Sequence, residues 1–180
     1  MICHVNRVVF VHIPKTGGTS IERFFNSHQR ESVKHYTMAQ YMEQYDVCDQ
    51  YYKFTVVRNP WDQLVSWWRW RRTRMPFTQW VHDLGTIPPG NTHLQPGLTH
   101  FDYIKIGEKM AVDYVCQFEN LVDDFDNVCS KLNITNNTLP HVNKTKHAHY
   151  STYYDDKTRD LVADVYNREI KHFGYEFTKQ

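Results

Sequence analysis

Hydrophobic residues in this chain fall in short unbroken runs, separated by turn-forming residues and by longer stretches of helical period. Residues 8–13, Val-Val-Phe-Val-His-Ile, form a continuous β-rich run, the pattern of a strand buried on both faces of a parallel sheet. Residues 14–20 break it with Gly17 and Gly18, and residues 21–28 take up a helical pattern. Strand, glycine loop and helix open a βαβ unit. The same grammar returns in a strand over 52–57, the turn Arg58-Asn59-Pro60, and a helix over 61–72 with proline just ahead of it. Between the two units, residues 33–45 predict one short helix from about Thr37. Residues 75–107 carry Pro76, Pro88, Pro89 and Pro96 and read as an irregular excursion around a short helix over 77–84. A strand over 114–118 and a helix over 121–132 restore the rhythm, and 133–149 is polar loop. Residues 155–173 predict a closing amphipathic helix with Leu161, Val165 and Ile170 on its apolar side. With no repeat or linker, residues 1–180 are expected to form a single α/β domain around a parallel sheet.

Composition agrees. The 180 residues are 41% hydrophobic and 23% charged, enough for one domain with a real core. No segment approaches the roughly 20 apolar residues of a membrane helix. The apolar run at 8–13 is too short for a signal peptide and leads straight into the glycine loop, so a cytoplasmic protein without a membrane segment is expected. On that expectation the sequons at Asn133, Asn136 and Asn143 carry no weight. Four cysteines without CxxC spacing predict reduced, half-buried thiols. A net charge of +1 lacks the basic field of a nucleic-acid binder. Positive charge is local instead, at Arg69, Arg71, Arg72 and Arg74.

The sharpest chemistry lies in the first glycine loop. A turn between a buried strand and a helix offers backbone N–H groups to an anion. Here Gly17 and Gly18 let the backbone approach, Thr16, Thr19 and Ser20 add hydroxyls, and Lys15 adds a charge. A Walker A loop places its lysine after the last glycine and the next hydroxyl on Mg²⁺. This loop has its lysine at the start, and no apolar strand ends in an aspartate suited to a metal. It suits phosphate without a metal, which argues against ATP or GTP.

The stretch VFVHIPKTGGTSIERFF resembles the 5′-phosphosulfate loop of the sulfotransferases that use 3′-phosphoadenosine-5′-phosphosulfate (PAPS), particularly the glycan-acting group. FTVVRNPWDQLVSWW is similar to their 3′-phosphate element, with Arg58 and Ser66 matching the phosphate-binding arginine and serine. Gln63 departs from the arginine of many relatives, at a position expected on the helix surface. VCQFENL, LPHVNKTKHAHYSTYYDD and IKHFGYEF extend the resemblance to small microbial members over nearly the whole chain. It implies a P-loop-like three-layer fold, a central parallel sheet flanked by helices. It also implies PAPS as co-substrate, adenosine 3′,5′-bisphosphate (PAP) as product, no required metal, and a carbohydrate acceptor. Arg58 would grip the 3′-phosphate, with Ser66 about two helical turns further on. Asn143, Lys144 and Lys146 would form a lid over the nucleotide.

Sulfonyl transfer is an in-line displacement, in which positioning and electrostatics carry most of the catalysis. Lys15 is the candidate for the leaving 5′-phosphate. Of eleven histidines, His35 matches the place of the family's catalytic histidine and is the expected general base. Glu22, on the first turn after the loop, is the alternative base or a helix-end charge. His12 reads as a packed core histidine. His93 and His100 sit in the excursion and are expected to line the acceptor cleft, while His141, His147 and His149 have spacing too loose to predict a metal. Arg69 and Arg72, interleaved with tryptophans, suit an anionic sugar chain, against the plainer reading of a helix with core tryptophans and solvated arginines. Other readings are sulfation of a small alcohol, lipid or tyrosine, a divergent P-loop kinase or NTPase, and a non-catalytic binding module. Oligomeric state is not legible.

Overall fold

The structure, a computed structural model, describes residues 1–25, 35–83, 98–140 and 148–179. By its contacts the chain divides into two compact units, Met1–Val57 with His100–Asn143, and Arg58–Thr99 with Lys144–Gln180.

The first unit is built on a four-stranded sheet. β1 (Ile2–Cys3) runs antiparallel to β2 (Val8–Val11), and α1 (Gly18–Phe24) follows the glycine loop. α2 (Met38–Gln44) begins at a reciprocal cap: Gln40 N–H donates to the Thr37 hydroxyl, and Thr37 N–H donates to the Gln40 side chain. β3 (Tyr52–Val57) pairs in parallel with β2, placing Phe10 opposite Phe54 with ring centroids 5.0 Å apart. The second unit opens with α3 (Pro60–Arg71) and α4 (Phe77–Asp83). The chain then returns to the first unit with α5 (His100–Ile104), the hairpin β4 (Lys105–Ile106) and β5 (Lys109–Met110), β6 (Tyr114–Gln117) and α6 (Leu121–Lys131). β6 is parallel to β3, giving the order β1-β2-β3-β6. α7 (Asp156–Val165) and α8 (Asn167–Phe173) complete the second unit.

Val8, Phe10, Phe54, Val56 and Cys116 from one face of the sheet form a core with Ile21 and Phe25 from around α1 and Phe125, Val128 and Cys129 of α6. Val9, Val11, Thr55 and Val57, on the opposite face, are also buried. Burial on both sides accounts for the unbroken apolar runs in β2 and β3. The class is the expected one: α/β, with a central, mostly parallel sheet flanked by helices. Because β2, β3 and β6 are parallel, their C-terminal ends lie at one edge, the edge from which the glycine loop leaves β2.

Four expectations are corrected. The closing amphipathic helix is two helices, broken at Tyr166, and its buried stripe is Thr158, Val162, Tyr166 and Glu169. Val165, expected inside, is 55% exposed. The stripe is rotated because a buried threonine and a buried glutamate do not read as apolar positions. Gln63, expected on the surface, is 4% exposed on the inward face of α3. The segment 98–107, expected as irregular excursion, supplies α5 and β4. All four cysteines are free and buried, more fully than expected.

Candidate active site

The glycine loop is shaped by two left-handed residues. Lys15 has φ of 67° and Gly17 of 83°, and between them the Thr16 hydroxyl donates to the Ile13 carbonyl at 2.8 Å. Thr16 is fully buried and closes the turn from within, so its side chain serves the loop's shape. Lys15, Thr19 and Ser20 are half-buried at the surface of the turn, and Ser20 N–H donates to the Gly17 carbonyl at 3.0 Å. A side chain at Gly17 would meet the ring of Phe118 at 3.1 Å. At Gly18 a Cβ would lie 2.2 Å from Cδ2 of His12. The second glycine is therefore required by the imidazole packed beneath the loop.

His12 follows directly on β2 and is 4% exposed. Its Nδ1 pairs with Oε1 of Glu22, from the first turns of α1, at 2.8 Å. His35 lies against the same group: its Nδ1–H donates to the His12 carbonyl at 2.8 Å, and the two imidazole centroids are 4.5 Å apart at 61°. A carbonyl can only accept, so His35 carries its proton on Nδ1 and, when neutral, its basic lone pair on Nε2. The first unit thus brings together the loop residues, His35, His12 and Glu22. Sequence reasoning anticipated the loop and His35 but missed the His12–Glu22 pair. The available signal was a histidine closing the strand and a glutamate on the facing turn of the helix, which a strand–loop–helix unit folds onto each other.

The second unit holds the other motif. Asn59 caps α3 by accepting from Trp61 N–H at 3.1 Å, with Pro60 at the first helical position. Arg58, 8% exposed, donates from Nε and Nη2 to Oδ2 of Asp62, one turn along, at 2.9 and 2.7 Å. Ser66 is also buried on α3. Trp61 Nε1–H donates to the Arg159 carbonyl and the Tyr154 hydroxyl to the Trp61 carbonyl, fixing the start of the helix. Beyond it Arg69, Arg71, Arg72 and Arg74 are exposed, as is Trp70, whereas Trp67 is buried and Trp68 packs on Phe77 and Tyr153. The helix therefore mixes both readings: Trp67 is core, while Trp70 shares the surface with the arginines.

His100, expected in a cleft, is buried at the start of α5, and burial lowers its pKa to about 3, so it is a neutral core imidazole. His149 caps the 3₁₀ turn at Tyr150–Tyr153, its Nδ1 2.9 Å from the Ser151 hydroxyl. His93, His141, Asn143, Lys144, Lys146 and His147 lie outside the described residues. Among the described residues no His, Cys, Asp or Glu cluster forms a candidate metal site, and no helix is long and apolar enough to cross a membrane.

The fold is thus α/β, with a lysine-bearing glycine loop leaving β2 at the C-terminal edge of the parallel strands, a kind of turn that suits an anion. The sequence pattern of the sulfotransferase family matches residues 1–176, across both units, and the chain belongs to that family. No curated protein and no solved structure matches it. Sulfonyl transfer is accordingly its general chemistry.

Proposed function

We propose that the chain transfers the sulfonyl group of PAPS to a carbohydrate hydroxyl, and that both units work as one sulfotransferase domain. The observation that carries this reading is His35, held beside the glycine loop in the tautomer that leaves Nε2 basic. The residues present suit the donor: Gly17 and Gly18 carry no side chain where Phe118 and His12 pack against the loop, and Lys15 is half-buried at its start.

In this reading the acceptor oxygen forms a bond to sulfur as the bond from sulfur to the 5′-phosphate oxygen breaks. The hydroxyl proton passes to Nε2 of His35. Negative charge gathers on the leaving phosphate, where Lys15 and the N–H groups of residues 17–19 meet it. Arg58, oriented by Asp62, and Ser66 take the 3′-phosphate. The resemblance also assigns Asn143, Lys144 and Lys146 to nucleotide binding, and Arg69 and Arg72 bind an anionic acceptor. A carbohydrate is favoured over a lipid or small alcohol by the exposed cluster of Arg69, Trp70, Arg71 and Arg72, which combines a flat ring with cations.

The test is calorimetric titration with PAP and ATP in EDTA, followed by transfer from labelled PAPS to a panel of sulfated and unsulfated glycans. Tight PAP binding, much weaker ATP binding and label on a glycan are expected. ATP binding restored by Mg²⁺, with none of PAP, would overturn the reading in favour of an NTPase.

A further inference from the structure

We propose that Glu22 is a positioning residue of the transfer reaction, acting through His12 to hold the imidazole of His35. The inference rests on His35 as the base, and deepens that reading.

His12, whose ring also stacks on Phe10 with centroids 5.5 Å apart, joins three parts of the site. Its Nδ1 is fixed by the Glu22 carboxylate at 2.8 Å, in a pair whose members are 4% and 8% exposed. Its ring fills the space a Cβ of Gly18 would need. Its carbonyl takes the Nδ1–H of His35, and its ring meets the His35 ring with centroids 4.5 Å apart. An imidazole has two nearly equivalent edges, so packing alone does not select which nitrogen faces which neighbour. A carboxylate on Nδ1 does select it, as a charge-assisted hydrogen bond far from water. Glu22 thereby fixes the ring against which His35 is seated. His35 needs that fixity, since a base must meet the acceptor hydroxyl within hydrogen-bond reach and with its lone pair on the correct nitrogen. The glutamate also lies on the helix that the glycine loop starts, so one short segment, residues 12–22, supplies the loop, its imidazole floor and the carboxylate that locks the floor.

Two measurements test this. The first is the long-range proton–nitrogen NMR spectrum of the imidazoles, with His35 assigned by its loss in His35→Ala. His35 is expected as a single Nδ1–H tautomer in both proteins, held by the His12 carbonyl, while its ring resonances, set by the neighbouring His12 imidazole, shift and broaden in Glu22→Ala. Unchanged His35 ring resonances in Glu22→Ala overturn the proposal. The second is single-turnover release of PAP from PAPS, with an unsulfated uronic-acid polysaccharide as acceptor. Glu22→Ala should slow release by about 10- to 100-fold, the cost of a misplaced catalytic group. Glu22→Gln, which keeps the acceptor oxygen and the volume, should recover most of the rate. In a His35→Ala background, adding Glu22→Ala should slow the rate no further, because on this proposal the glutamate reaches the reaction through the histidine. Losses that multiply in the double variant, or PAP affinity falling as far as the rate, would overturn the proposal by making Glu22 a determinant of the loop alone. Wild-type rates in His35→Ala would sink the base assignment, and this inference with it. A dead His35→Ala beside a wild-type Glu22→Ala would sink the inference only. Should Glu22→Ala fail to fold, His12→Asn gives the same double-variant test, since it drops the ring beneath His35 but keeps a polar group of similar reach.

Discussion

Among single residues, Gly18 bears the tightest steric constraint in the glycine loop. A methyl group there would sit 2.2 Å from His12 Cδ2, and that imidazole is held in place by Glu22. Gly18→Ala must therefore displace the ring or lift the loop, at a cost of about 1–3 kcal/mol in stability. PAP affinity should fall with it, and calorimetry beside a melting curve measures both. Wild-type affinity in a stable Gly18→Ala protein would mean that the ring does not support the loop. The two cations make a second, charge-based prediction. Lys15→Ala and Arg58→Ala should each weaken PAP by about tenfold or more, the worth of a charged hydrogen bond. Arg58→Lys should rescue little, because an ammonium cannot reproduce the fork that Asp62 orients. These residues were legible in the sequence because lysine, glycine and arginine occupy turn positions with a known use for each. Glu22 was read there as an alternative base or a helix-end charge; its pairing with His12 was not legible. Only the fold reveals that it turns inward to His12.

At the level of elements, hydrophobic period gave the central strands closely and the last helices poorly. β3 was anticipated over its full length, since a buried parallel strand advertises itself with Phe54, Val56 and Val57 in one run. β1 and the β4–β5 hairpin were missed because two-residue strands hold no period to detect. The buried stripe of α7 and α8 includes Thr158 and Glu169, whose inward positions are set by their surroundings and not by hydropathy. α2, by contrast, was anticipated from about Thr37 by its helical pattern. Thr37 and Gln40 form a reciprocal cap two residues after His35, so this cap anchors the chain as it leaves that histidine. Thr37→Ala should cost about 1 kcal/mol, the usual worth of such a cap, and lower the midpoint of urea unfolding accordingly. PAP affinity should stay at the wild-type value. A binding defect larger than the stability loss would show that the cap also shapes the site.

For the molecule as a whole, burial of ionisable groups in the core sets its response to reagents and to acid. All four thiols are buried, and burial pushes Cys116 well up and Cys129 up to about 11, so neither presents a thiolate near neutral pH. An aromatic disulfide reagent should titrate these cysteines in the unfolded protein and leave the folded one almost untouched. Acid acts through His100. Its folded pKa is lowered to about 3 by burial, against 6.5 for an exposed imidazole. Below pH 6.5 the unfolded chain takes up a proton at this position that the folded one refuses. Stability contributed by the neutral histidine is thus complete above pH 6.5 and is lost as pH falls toward 3. Between pH 7 and pH 5 the loss should be about 2 kcal/mol from this residue alone. Urea unfolding at the two pH values, on wild type and on His100→Gln, isolates that share, because glutamine removes the titration whatever it does to the baseline. The difference between the two slopes should vanish if His100 is protonated in the folded core, and such a result would mean that a counter-charge reaches it there.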